Sequence, residues 1–161
     1  MSFEPKDPDF ERRVRESFAR QRAMETFGAR LLRVAPGEVE IGFGFREEFT
    51  QQHGYLHAGV VTAIVDTACG YAALTLTEPG AEVLSVEFKL NLLSPAAGEH
   101  FVARARVVRA GRNITVCAGD FYALKGHDEK LVATMLATMM KVGKQESGVR
   151  SQESRGSAQG G

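Results

Sequence analysis

The segment that most constrains this chain runs from about residue 57 to residue 77. Val60, Val61, Ala63, Ile64, Val65, Ala68, Cys69, Tyr71, Ala72, Ala73 and Leu74 cover nearly every direction around a helix. A helix that is apolar all round has to be buried, so the rest of the fold must wrap it. Some 21 residues at helical rise would span about 31 Å, the width of a whole small domain. The segment is no membrane span, because Asp66 breaks it short of the roughly 20 unbroken apolar residues a bilayer needs. Asp66 is also its anomaly, since an unpaired carboxylate there costs roughly several kcal/mol. Two readings stay open. It is a structural Asp bonded to a neighbouring hydroxyl such as Thr62, or a functional carboxylate whose site justifies the desolvation.

What wraps the helix reads as strands. In Val39-Glu40-Ile41-Gly42-Phe43-Gly44-Phe45-Arg46 apolar residues alternate with polar or small ones, the mark of a half-buried strand. Ala35-Pro36-Gly37-Glu38 before it is a turn, making residues 29–34 and 38–46 a hairpin. Ser85 to Leu92 alternates as cleanly, and Phe101 to Arg109 more loosely before the turn Arg109-Ala110-Gly111-Arg112-Asn113. Residues 114–124 and 130–141 are two more apolar runs, joined by Lys125-Gly126-His127-Asp128-Glu129. Strands this closely spaced pair antiparallel, since parallel ones need long crossovers. Upstream, Asp7-Pro8 reads as a helix opening, with Phe10, Val14 and Phe18 at four-residue spacing behind it. One packing helix is expected over about 8–27, ending near Gly28.

The fold class is therefore α+β, an antiparallel sheet of five to six strands around one long central helix, plus an N-terminal helix. A single domain is expected over 1–142. Residues 143–161 hold Val149 and Ala158 as their apolar side chains and are expected to be a disordered tail. The 161 residues balance 20 Lys and Arg against 20 Asp and Glu. That neutrality argues against nucleic-acid partners and against a polybasic membrane anchor. Cys69 and Cys117 fit neither a disulfide framework nor a zinc site, and no stretch has the spacing of a metal centre. The N-terminus alternates charges where a signal peptide needs an apolar run, so a cytoplasmic location is expected.

Chemistry gathers at the helix entry, Gln51-Gln52-His53-Gly54-Tyr55-Leu56-His57-Ala58-Gly59. Small residues at 58 and 59 leave the first helical N–H groups open to a ligand. With the positive end of the helix dipole they make a seat for a developing oxyanion. A tight loop with no further role is the plain alternative. Ala58 and Asp66 are eight residues apart, hence ~12 Å along one axis. If both serve one reacting atom, they come from two antiparallel copies of the helix. The chain is then an obligate dimer with two composite sites.

The stretch Gln51–Ala73 (QQHGYLHAGVVTAIVDTACGYAA) followed by Ser85–Glu99 (SVEFKLNLLSPAAGE) resembles the hotdog-fold acyl-CoA thioesterases, most nearly their phenylacetate-pathway (PaaI-like) branch. That family's loop, Asn/Gln-x-x-Gly-x-x-His-Gly-Gly, has an acid nine residues after the His and a small residue four further on. Gln51, Gly54, His57, Ala58, Gly59, Asp66 and Gly70 occupy these places, and the resemblance covers about 29–142. It implies hydrolysis of acyl-CoA thioesters without metal or cofactor. Asp66 would be nucleophile or general base, the Ala58 N–H the oxyanion donor, and Gln51 a neighbour of the carbonyl or of the nucleophile. His57 would shape the loop, Ser85 would position the attacking water, and Gly54 and Gly70 would lie against substrate. Arg109 and Arg112 would meet the coenzyme A phosphates or form a solvated hairpin tip. A homodimer is implied, with dimers pairing into a tetramer. Ala58 and Gly70 depart from the commoner Gly and Thr or Ser of the family.

The remaining candidates read as structural: His53, His100 and His127 as surface residues, Cys69 and Cys117 as small buried hydrophobes, and Met135, Met139 and Met140 as core. Two competing functions share the fold. A non-catalytic acyl-CoA binder or regulator has no need of the Asp66 carboxylate. A dehydratase needs its catalytic His in a different loop pattern.

Overall fold

Six strands wrap one helix in the computed structural model, which describes residues 3–143. Helices α1 (Phe10–Ala19) and α2 (Arg22–Phe27) lead into the hairpin β1 (Arg30–Ala35) and β2 (Glu38–Gly44). A single 3-10 turn, Glu47–Phe49, precedes α3 (Ala58–Leu74), and β3 (Glu82–Leu92), β4 (His100–Ala110), β5 (Ile114–Lys125) and β6 (Asp128–Val142) complete the chain. All strands pair antiparallel in the order β1-β2-β4-β5-β6-β3, as the close spacing requires. Helix α3 crosses the inner face, carrying the chain from β2 near one edge to β3 at the other.

The core lies between α3 and that face. Ile64, Val65, Ala68 and Ala72 of the helix are fully buried against a sheet that contributes Ile41, Phe101, Phe121 and Ala137. Phe43, Phe101 and Phe121 stack across β2, β4 and β5, with centroids 5.3 and 5.7 Å apart. Truncating Phe101 or Phe121 removes roughly 3–5 kcal/mol of such packing. Gly119 on β5 sets how near the helix comes, since a Cβ there would sit 2.6 Å from Val65 Cγ1 and 2.9 Å from Cys69 Sγ.

Four expectations need correction. The N-terminal segment is two helices and not one over 8–27, because Gln21 adopts an extended conformation (φ −84°, ψ 95°) between Ala19 and Arg22. Gly28 does end α2, in the left-handed conformation (φ 65°) that glycine takes without strain. Asp7 does not cap a helix beginning at Pro8. Its Oδ1 accepts the Asp9 N–H in a local turn, its other oxygen lies 3.0 Å from Arg13 Nε, and α1 starts at Phe10. Helix α3 stops at Leu74 because Leu76 and Thr77 bond back three residues, to Ala73 and Leu74, tightening the chain out of α geometry.

The fourth correction concerns burial. Helix α3 is not covered all round: Thr62, Ala63, Asp66, Thr67 and Gly70 form one half-exposed stripe beside β3. Strand β3 itself is open, pairing with β6 on one side and, among the described residues, with no strand on the other. Leu84, Val86 and Phe88 on it are 43–55% exposed. Met140 likewise faces out of the sheet, whereas Met135 and Met139 are in the core as expected. No helix among the described residues is long and apolar enough to cross a membrane. The expected tail, apart from Gly143, lies outside the described residues.

Candidate active site

The loop before α3 is held by its own backbone. Thr50 bridges Leu56, the Gln51 N–H donates to Tyr55 O at 2.8 Å, and Gly54 turns the chain at φ 79°. The Leu56 N–H reaches Ala96 O at 3.1 Å, which ties the loop to the Ser94–Ala96 segment after β3. His57 is the N-cap of α3, its Nδ1 accepting the Gly59 N–H at 2.8 Å. Gly59 permits this, because a Cβ there would press to 3.0 Å on Nδ1. The sequence suggested that positions 58 and 59 both leave N–H groups open. In the structure the imidazole occupies that of Gly59. Among the described residues, the Ala58 N–H donates to no protein acceptor. One unpaired donor at the positive end of a 17-residue helix remains.

Ala58 and Gln51 line an apolar cavity of about 400 Å³ walled by Leu56, Val61, Leu92 and Leu93. The Gln51 side-chain oxygen accepts the His53 N–H, so this residue braces the loop as well as facing the cavity. His53, His100 and His127 are exposed, as the sequence indicated.

Asp66 is elsewhere. It is half-buried on the open stripe of α3, and Ser85 Oγ donates to its Oδ1 at 2.7 Å. Thr62, the partner suggested by local spacing, instead donates to the Ala58 carbonyl at 2.8 Å within the helix. Ser85 reaches Asp66 from a β-bulge, where the β3–β6 register slips between Ser85 and Glu87 and aims the hydroxyl at the helix. Asp66 and Ser85 line a second cavity of about 230 Å³ together with Gly70 and Tyr71 of α3, Ser17 of α1 and Gln21 from the break between α1 and α2. These last two and Tyr71 were not singled out in the sequence. Nothing in a helical apolar stripe or an extended glutamine announces which distant carboxylate it will face.

The two cavities share no residue. Within one protomer the structure brings Gln51, Gly54, His57, Ala58 and Gly59 together, and separately Asp66, Gly70 and Ser85. Arg109 and Arg112 are exposed around the β4–β5 turn, and Arg112 lines a cavity with Ala73 at the far end of α3. That is ~22 Å from Ala58 along the helix. Cys69 and Cys117 are buried free thiols, and burial pushes the Cys117 thiol up to about 12. No three His, Cys, Asp or Glu side chains among the described residues are grouped as a metal-ligand set.

Comparison with known proteins gives this arrangement a context. Residues 53–130 match the family model of the Thioesterase superfamily. A crystal structure of a thioesterase family protein from Silicibacter pomeroyi is 49% identical, covering 83% of this chain and 98% of that one, with a TM-score of 0.82. Human acyl-coenzyme A thioesterase 13 is 35% identical over 91 residues, 56% of this chain and 64% of its own length. The chain thus spans just under two thirds of that relative. The Escherichia coli PaaI protein of the phenylacetic acid degradation operon shares the fold, with a TM-score of 0.76 at 18% identity over 84% of this chain and 95% of that one.

Proposed function

Since the chain belongs to the Thioesterase superfamily and is a thioester hydrolase, we propose that it cleaves acyl-CoA thioesters at a site shared between two protomers. The observation that carries the reading is the separation of the two half-sites. The unpaired Ala58 N–H and the Ser85-held Asp66 lie ~12 Å apart on one helix and in different cavities. Two copies of α3 running antiparallel, with residue 58 of each abreast of residue 66 of the other, bring them face to face. Thr62, Ala63 and Gly59 are small enough to let the two stripes approach. The open edge of β3 is a ready template for pairing with a second copy.

In such a site the thioester carbonyl oxygen accepts the Ala58 N–H of one protomer. The Ser85 hydroxyl holds one oxygen of Asp66 in the other, and the second oxygen takes a proton from water. The water oxygen adds to the carbonyl carbon, and the resulting oxyanion is stabilised at the helix N-terminus. The C–S bond then breaks, and the proton passes to the leaving thiolate, giving the carboxylic acid and coenzyme A. No step requires a metal or redox cofactor. The same alignment puts residue 73 of one α3 abreast of residue 51 of the other. Arg112 then stands near the site mouth, where the phosphates of the coenzyme lie. Exposed Leu84, Ile114, Leu136 and Met140 on the outer sheet face suit a further pairing of dimers into a tetramer. Two free thiols suit the reducing cytoplasm.

Release of free thiol from a panel of acyl-CoAs tests the reading. Asp66→Asn is expected to lower kcat by ~10²–10⁴ with the thermal midpoint little changed. An unaltered rate in that variant would mean that some other group activates the water.

A further inference from the structure

The loop that presents Ala58 has little packing of its own. Of residues 45–59 only Leu56 is buried, and Arg46, Glu47 and Glu48 are exposed. A segment with so few buried contacts opens easily unless specific bonds hold its base. Two such bonds run to the segment between β3 and β4. The Phe45 N–H donates to Glu99 O at 2.9 Å and the Leu56 N–H to Ala96 O at 3.1 Å.

A third attachment runs to α2, and Arg46 carries it. Its Nη1 donates at 2.9 Å to Thr26 O, a last-turn carbonyl of α2 of the kind that has no helical partner. Its Nη2 donates to Glu48 Oε1 at 2.9 Å, and its guanidinium stands 4.7 Å over the Phe49 ring. Phe49 in turn meets Phe27 of α2 edge-on, with ring centroids 5.2 Å apart. From Phe49 the connection continues through backbone. Its carbonyl accepts the His57 N–H at 2.8 Å, while His57 Nδ1 accepts the Gly59 N–H. The Ala58 peptide lies between those two bonds, so the direction of its N–H follows the placement of Phe49. Global stability gains little from the brace, since the Arg46 side chain is 45% exposed and exposed ion pairs and cation–π contacts are individually weak. Aim gains more, because an ångström of misplacement near a reacting group costs ~10²-fold in rate.

We propose that Arg46 is a positioning residue, which couples α2 through Phe49 and His57 to the Ala58 N–H and holds that donor on the thioester oxygen. Its role rests on the function proposed above, in which Ala58 donates to the oxyanion. Both α2 and Arg46 lie outside residues 53–130, so the matched family region by itself lacks the brace.

The test is a double-mutant cycle in the full-length protein. It reads kcat and KM for thiol release from whichever of butanoyl-, octanoyl-, hexadecanoyl- and benzoyl-CoA is cleaved fastest. Arg46→Met keeps an unbranched stem over Phe49 and removes the donors. It is expected to lower kcat about tenfold, the worth of one charge-assisted hydrogen bond, with KM within about twofold and the melting temperature little changed. In the Ala58→Pro background the same change should cost less than about twofold, because the donor it aims is gone. A merely structural role would lower kcat by the same factor in both backgrounds. In hydrogen exchange the His57 amide of Arg46→Met should open about tenfold faster, while the Val65 amide in α3 keeps its rate. Unchanged kcat, an unchanged His57 exchange rate, or equal losses in the two backgrounds would overturn the proposal and leave thioester hydrolysis standing. If Arg46→Met does not fold, Phe27→Leu, which removes the ring against Phe49, should show the same pattern, and its absence counts against the proposal equally. If Ala58→Pro keeps full kcat, or none of the four is cleaved, the oxyanion site falls and the positioning role falls with it.

Discussion

Asp66 combines a half-buried position with one hydrogen bond from Ser85, so one of its oxygens is held and, in the proposed reaction, the other takes the proton. In the proposed site Ala58 supplies its counterpart through backbone alone, which allows a clean test. It is the first residue of α3, and His57 before it is already extended at φ −64° and ψ 137°. Proline is tolerated at that place, because a first-turn N–H has no helical partner to lose and the preceding residue is compatible. Ala58→Pro is expected to lower kcat by ~10²–10³ in the thiol-release assay, the usual cost of one oxyanion donor, with little change in melting temperature. Retained kcat would place the carbonyl elsewhere. At this scale the sequence singles out Asp66 as a lone carboxylate in an apolar run, and the structure finds it half-buried on α3 beside Ser85. The sequence points to Thr62 for a partner because helical spacing is all that local sequence offers. Ser85, 19 residues away on a bulge, is reached only through space.

Elements in this fold are positioned by where side chains are missing. Gly119 lets β5 pass under α3, with Val65 Cγ1 and Cys69 Sγ inside the space a Cβ would fill. Gly119→Ala should therefore destabilise by ~1–3 kcal/mol in chemical denaturation, by pushing helix and sheet apart. Gly70 is the opposite case, with open space around it. Gly70→Ala should stabilise by about 0.5–1 kcal/mol, roughly 1–4 °C in melting temperature, while narrowing the cavity beside Asp66. A loss of stability in that variant would show that something packs there. The strands and the central helix were legible because alternation and an all-round apolar helix are periodic signals within one element. The break at Gln21 was not. No proline or glycine marks it, and its extended backbone follows from how α1 and α2 each pack on the body of the domain.

The whole molecule is proposed to work as a pair, and complementation decides it. Mixing unfolded Asp66→Asn with Ala58→Pro and refolding them together should restore activity that neither variant has alone. Each mixed dimer then carries one site with both groups intact and one with neither. A statistical mixture would reach about a quarter of wild-type turnover. No recovery, with mixed dimers verified, would place the whole site within one chain. By itself the sequence determined the antiparallel α+β wrap, the loop that opens α3 and the exceptional carboxylate, all properties of spacing along the chain. The tertiary structure decided that β3 is left as an open edge among the described residues, that Asp66 meets Ser85 in a cavity also lined by Ser17 and Gln21, and that Ala58 and Asp66 line separate cavities. Those facts depend on which surfaces remain uncovered once strands far apart in sequence have paired, and strand order is not encoded in any one strand's periodicity.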